Sequence, residues 1–118
     1  MLNQGLVAQF EPFQTPFYYY DLGLLTKTLI ALKEAADSNR YIVHYAVKAN
    51  ANERILRTIA DYGFGADCVS GNEIRMAIDC GFKPEHIVFA GAGKSDEEIK
   101  LAITKGVFSI NCESVQEL

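Results

Sequence analysis

The sequence is poor in the residues that mark whole classes of protein. It has no tryptophan, three prolines and three cysteines in 118 residues. Cys68, Cys80 and Cys112 are odd in number and share no C-x-x-C spacing. That argues against a disulfide framework or zinc site and predicts buried free thiols in a reducing compartment. No apolar run approaches the roughly 20 residues that span a bilayer, and the N-terminal "MLNQGLVAQF" lacks the basic flank and apolar block of a signal peptide. The reading is cytoplasmic, with no membrane partner. Charge of one sign is also missing. A net charge of −4, with both signs scattered, leaves no basic stripe for nucleic acid and no acidic tail.

What is present is ordinary globular material, 49% hydrophobic and about one domain long. Its punctuation repeats. Four segments read as strands: Tyr41–Val47, Phe64–Val69, Ile87–Ala90 and Val107–Cys112. Each is followed by a polar cap residue with glutamate three positions later, in the quartets that open at Asn50, Ser70, Ser95 and Ser114 and end at Glu53, Glu73, Glu98 and Glu117. The three serine quartets are capping boxes and the asparagine one is a weaker version. Apolar residues at helical spacing follow the first three, and Gly63, Gly81 and Gly106 stand where helices stop. An earlier helix has Asp21 as its cap and Leu22, Leu25, Leu29 and Leu32 as its stripe.

Strand, cap, helix, glycine is the repeat of a parallel α/β sheet with right-handed crossovers, either doubly wound or a (β/α)₈ barrel. Residues 1–20 break the alternation. Their "TPFYYYD" reads as a fifth strand candidate belonging to a different sheet. The last capping box opens a helix just before Leu118, so the chain reads as a piece of a longer protein or half of an assembly.

Candidate chemistry sits at strand ends. Side chains alternate along a strand, so Tyr41, Val43, Tyr45 and Val47 make one bulky face, and Ile42, His44, Ala46 and Lys48 the other. In a barrel the second face points inward, with Lys48 at the C-terminal mouth, where the active sites of such barrels lie. On the next strand Gly65, Asp67 and Val69 share the equivalent face, which brings Asp67 toward Lys48. A lysine poised between a carboxylate and desolvation can attack a carbonyl and form a Schiff base. Each residue also has a bland reading. Lys48 alone would be a snorkelling surface side chain, Asp67 a turn cap, Glu73 a helix cap, His44 a buried and satisfied imidazole. His86 stands beside a turn at Lys83-Pro84. "GAGK" at 91–94 lacks the spacing of a nucleotide P-loop.

The order of these segments is more specific than any one of them. "TPFYYYD", "YAVKAN", "GFGADCVSGNEI", "HIVFAGAGKSDEEI" and "INCESVQEL" closely resemble the N-terminal part of the diaminopimelate decarboxylases. These belong to the alanine-racemase-like (fold-type III) pyridoxal-phosphate enzymes, as do the ornithine and arginine decarboxylases. The resemblance runs from about Thr15 to Leu118. It implies the first half of a (β/α)₈ barrel over 21–118, preceded by an arm, 1–20, whose strand belongs to a second, β-domain. It implies Lys48 as the catalytic lysine that carries pyridoxal 5'-phosphate and Asp67 as an acid near the cofactor ring, and it matches Glu73 to a glutamate that lies close to the lysine in the related ornithine decarboxylases. Asn72 and Ala92 depart from the usual pattern and leave exact specificity open.

The activity implied is decarboxylation of meso-2,6-diaminopimelate to L-lysine and carbon dioxide, on a small-molecule amino-acid substrate. The alternatives are an ornithine- or arginine-type decarboxylase piece, or a non-catalytic half-barrel that assembles with itself or a complementary chain. The resemblance places the remaining machinery beyond Leu118. The intact enzyme is expected to be a homodimer, and this chain to be inactive alone and to self-associate.

Overall fold

The computed structural model describes residues 4–118, whose element order is dominated by four repeats of strand and helical turn. A short helix α1 (Gln4–Ala8) and a looped stretch precede the long α2 (Leu22–Ser38). Then come β1 (His44–Ala46), α3 (Glu53–Asp61), β2 (Gly65–Cys68), α4 (Gly71–Asp79), β3 (Ile87–Phe89), α5 (Asp96–Lys105) and β4 (Ser109–Ile110). The strands lie side by side in the order β1-β2-β3-β4, every neighbouring pair parallel.

The cap grammar explains where most helices begin. Asp21 Oδ1 accepts from the Leu24 N–H at 2.9 Å, and Ser70 Oγ from the Glu73 N–H at 3.2 Å. At Ser95 the full box forms: Ser95 Oγ takes the Glu98 N–H at 3.3 Å, and Glu98 Oε2 takes the Ser95 N–H at 3.1 Å. Two orphan donors are satisfied by two side chains. Gly63, Gly81 and Gly106 all have positive φ just past their helices, as a left-handed stop requires.

Four expectations need correction. The cap of α3 is Asn52, whose side chain accepts from the Arg54 N–H, while Asn50 accepts from the Asn52 N–H one step earlier. Asparagine satisfies a backbone donor two residues on, so an Asn-x-Asn pair can start the helix at either member. The outer strands are shorter than their apolar runs. Tyr41 and Ile42 precede the reach of β2 and stay exposed, and β4 is paired on one side only. Of the three serine quartets only that at Ser95 is a full capping box: Glu73 and Glu117 take the Val69 and Glu113 N–H groups instead of those of their cap residues, and Ser114 makes no cap hydrogen bond. Phe17–Tyr20 carry no strand pairing among the described residues. Their rings cluster instead with the preceding turn, Phe10 lying 5.4 Å from Phe17 and 5.0 Å from Tyr19. Finally, Cys68 and Cys80 are buried free thiols as expected, but Cys112 is exposed.

Register fixes the two faces of the sheet. Tyr45, Ala66 and Ile87 are aligned, as are Cys68, Phe89 and Ile110, and this side packs under the helices. Ala66, Cys68, Ile87 and Phe89 are fully buried there with Leu56, Ile59, Ile74 and Ala102 from α3, α4 and α5. The other face carries His44, Ala46, Asp67, Val88 and Ser109, all only half-buried. An α/β sheet with helices on one side and a smaller, more polar opposite face has the layering and composition of a barrel wall. No described helix is long and apolar enough to cross a membrane.

Candidate functional site

The C-terminal ends of the strands are where the loops carrying polar groups converge. β1 ends at Ala46, and Val47–Ala49 turn into a 3₁₀ loop. Val47 is completely buried and anchors the turn. Tyr45 clamps it from below, its hydroxyl donating to the Asn50 carbonyl at 3.2 Å. Burial of that phenol raises its pKa above the ordinary value, so it stays protonated and able to donate. Between these two fixed points Lys48 is exposed, and its ammonium makes no hydrogen bond or ion pair among the described residues. Thus the six residues YAVKAN have distinct jobs: Tyr45 and Val47 hold the turn, Lys48 projects from it, and Asn50 starts the connection to α3.

Asp67 stands on β2 opposite Ala46. The register therefore places it beside the end of β1, two residues short of Lys48, without a direct ion pair between them. Its Oδ1 is buried and has no hydrogen-bond partner. A buried carboxylate oxygen left without a donor costs stability, and native proteins keep such atoms chiefly where function uses them. The cause is local: its neighbours on this face, Ala46 and Val88, carry no donor. An orphaned acid and a free amine at the same end of adjacent strands fit a group that brings both a donor and a carbonyl.

Below this level the same face is closed. The His44 imidazole lies over Gly65, where an added Cβ would come within 2.3 Å of the ring. Burial lowers the His44 pKa; Asp67 opposes this and His86 reinforces it. His44 is thus a neutral filler of the lower layer, and His86 sits in the 3₁₀ turn leading into β3.

Two loops complete the rim. Glu73 sends Oε2 past its cap residue to the Val69 N–H at 2.7 Å, so its carboxylate is engaged with the backbone that follows Asp67. The side chain of Lys94, in the "GAGK" loop, is almost wholly covered, its ammonium paired to Glu117 at 3.0 Å and also donating to the Gly91 carbonyl. The sequence excludes "GAGK" as a P-loop and keeps it as a motif of the resemblance, but gives Lys94 no partner. Its signal was the Ser114 quartet, whose glutamate pairs with this lysine.

A parallel βα repeat with a free lysine at the end of its first strand is the class of pyridoxal-binding barrels. Residues 22–118 match the family model described as pyridoxal-dependent decarboxylase, pyridoxal binding domain, and the chain belongs to that family. Among curated relatives, the diaminopimelate decarboxylase of Bacteroides thetaiotaomicron is 53% identical over 113 residues, which are 95% of this chain and 29% of that protein. The crystal structure of the Helicobacter pylori diaminopimelate decarboxylase complexed with L-lysine superposes with a TM-score of 0.87 at 40% identity, over 94% of this chain and 28% of that one. The ornithine decarboxylase of Entamoeba histolytica is more distant, with a TM-score of 0.73 and 29% identity over 96% of this chain and 35% of that one. The four βα units are therefore part of a (β/α)₈ barrel, and the chain spans under a third of the length of the diaminopimelate relatives named here.

Proposed function

We propose that this chain forms the Lys48-bearing part of a pyridoxal-phosphate barrel whose intact enzyme decarboxylates meso-2,6-diaminopimelate to L-lysine. The observation that carries it is the pairing of an unpartnered, projecting Lys48 with the orphaned Oδ1 of Asp67 at the C-terminal end of adjacent strands. Kinship with diaminopimelate decarboxylases at 53% identity supports this substrate over ornithine or arginine.

Lys48 would hold the cofactor through its Nζ, and Asp67 would meet the ring from the neighbouring strand. When bound, pyridoxal phosphate supplies an electron-accepting ring that takes up the pair left behind as carbon dioxide departs. The residues of this chain do the holding. Tyr45 and Val47 fix the turn so that the amine is presented at one place. The unpaired Asp67 oxygen accepts a proton or hydrogen bond that nothing else in the described chain offers it. Preorganised charge of this kind costs no rearrangement when the ligand arrives.

The test is covalent trapping. The chain is mixed with pyridoxal phosphate, reduced with borohydride and mapped by mass spectrometry. Label concentrated on Lys48 and lost in Lys48→Ala is expected; label spread evenly over the exposed lysines overturns the reading. The isolated chain is expected not to turn over diaminopimelate, and decarboxylation abolished by Lys48→Ala would show that it is competent alone. The open sheet also supports pairing with a second copy or a complementary chain.

A further inference from the structure

The four cap glutamates are not equivalent, and the difference concerns the site. Glu98 belongs by sequence to the box of α5, yet it serves two helices. Its Oε2 takes the Ser95 N–H at 3.1 Å, while its Oε1 reaches across to α4 and takes the Gly71 N–H at 2.8 Å. Gly71 is the first residue of α4, four positions after Asp67. The approach is close: a Cβ there would lie 3.0 Å from Glu98 Cγ and 3.3 Å from Leu101 Cδ2, so either side chain would have to give by a few tenths of an ångström. The next unit differs, since Ser114 makes no cap hydrogen bond and its glutamate reaches a lysine instead of a second helix. Glu117 accepts from its own Glu113 N–H at 2.9 Å and pairs with Lys94 of the preceding loop at 3.0 Å.

We infer that Glu98 is a positioning residue for the Asp67 segment, holding the backbone of Val69–Gly71 from outside while Glu73 holds it from within. Two carboxylates then grip three residues: Glu73 binds the Val69 N–H and Glu98 the Gly71 N–H. A carboxylate at the start of α4 also faces the positive end of its peptide dipoles, and a charge-assisted bond there is stronger than a neutral one. Among the described residues no side chain donates to the Asp67 Oδ1. Its place is set by the backbone, and that backbone is what Glu98 fixes. This role rests on the proposed pyridoxal site only in its consequence for cofactor binding; the grip on Gly71 stands by itself.

Three variants of the full chain separate the possibilities. Ser95→Ala removes part of the α5 cap and leaves the Gly71 contact. Glu98→Ala removes both. Glu98→Gln keeps the shape but can accept fully from only one of the two backbone donors, and it serves if the alanine variant does not fold. Amide exchange of Gly71 is expected to accelerate roughly tenfold or more in Glu98→Ala, less in Glu98→Gln and not in Ser95→Ala. Leu56 of α3 provides the reference amide. The dissociation constant for pyridoxal phosphate, read from the absorbance of the lysine adduct, should rise several-fold in Glu98→Ala and stay put in Ser95→Ala.

Equal Gly71 exchange in Ser95→Ala and in the Glu98 variant used overturns the inference. So does faster exchange with unchanged cofactor affinity, because the grip would then be structural only. If the parent chain takes up no pyridoxal phosphate on Lys48, the site reading fails, and Gly71 exchange alone decides whether Glu98 grips α4.

Discussion

Single residues decide how tightly the inner face is filled. Gly65 has no room for a methyl group, since a Cβ would stand 2.3 Å from His44 Cδ2 and 2.4 Å from the His86 carbonyl oxygen. The imidazole can swing but the carbonyl cannot. Gly65→Ala is therefore expected to destabilise the chain by about 1–3 kcal/mol, the usual cost of overpacking, read as a lower urea midpoint. An unchanged midpoint would mean the layer is looser than described. The thiols give a second reading at this scale. Burial, followed by the nearby Glu73 and Asp67 charges, pushes the Cys68 thiol up to about 12, and burial likewise raises Cys80. Only the exposed Cys112 should react quickly with a thiol reagent in the native chain, and Cys112→Ser should abolish that fast phase. Fast reaction of two thiols would contradict the burial. Asp67's place on the half-buried face was legible from alternation; that of Lys48 was not, because β1 ends at Ala46 and the lysine sits in the 3₁₀ turn that follows. Asp67's missing partner was not legible either, because the absence of a donor depends on three neighbouring strands at once.

At the scale of elements the cap residues set both boundaries and acid sensitivity. The Glu98 carboxyl is held below its ordinary value of 4.5, first by the Gly71 N–H and then by the Ser95 N–H and hydroxyl. A carboxylate with a depressed folded-state pKa contributes stability that is complete above the unfolded value. That stability is lost as pH falls through the folded value. Unfolding midpoints of the parent chain should drop as the pH falls below the ordinary carboxylate value of 4.5, and Glu98→Gln should flatten part of that slope while lowering the neutral midpoint. An identical slope in both proteins would assign the acid response to other carboxylates. Ser95→Ala should cost about 1 kcal/mol, as loss of a helix cap does. Starts and stops were readable because each cap is a local bargain among four or five residues. The choice of Asn52 over Asn50 was not, since both asparagines can satisfy a neighbouring donor. The reach of Glu98 to Gly71 was equally hidden, because it spans 27 positions of sequence.

The whole molecule is too open for its length. Its radius of gyration is 17.2 Å, where a compact chain of this size has about 13 Å. It exposes 8315 Å², against roughly 6,400 Å² for a folded monomer of the same mass. The excess, roughly 1,900 Å², is more than twice the ~800 Å² that one partner contributes to a standard protein interface. It lies along the half-buried inner face, the free edges of β1 and β4, and the aromatic stretch where Tyr18 is 88% exposed. Parallel sheets are stable when covered on both faces and not left with open edges. The α/β reading was legible because each βα unit signals itself locally. The course of residues 15–21 was not, because a strand exists only with a neighbour to pair with and the described residues offer none. It follows that the chain on its own should associate as its concentration rises through the micromolar range. Light scattering would show the mass increasing. Ser109 supplies the control: it lies on the inward face of the β4 edge, so Ser109→Lys puts a charge where a second sheet would dock while leaving the helix-side core untouched. That variant should remain folded and shift toward monomer. A parent chain that stays folded and monomeric at every concentration would mean that the excess surface is tolerated in water, and that neither the edge nor the inner face drives assembly.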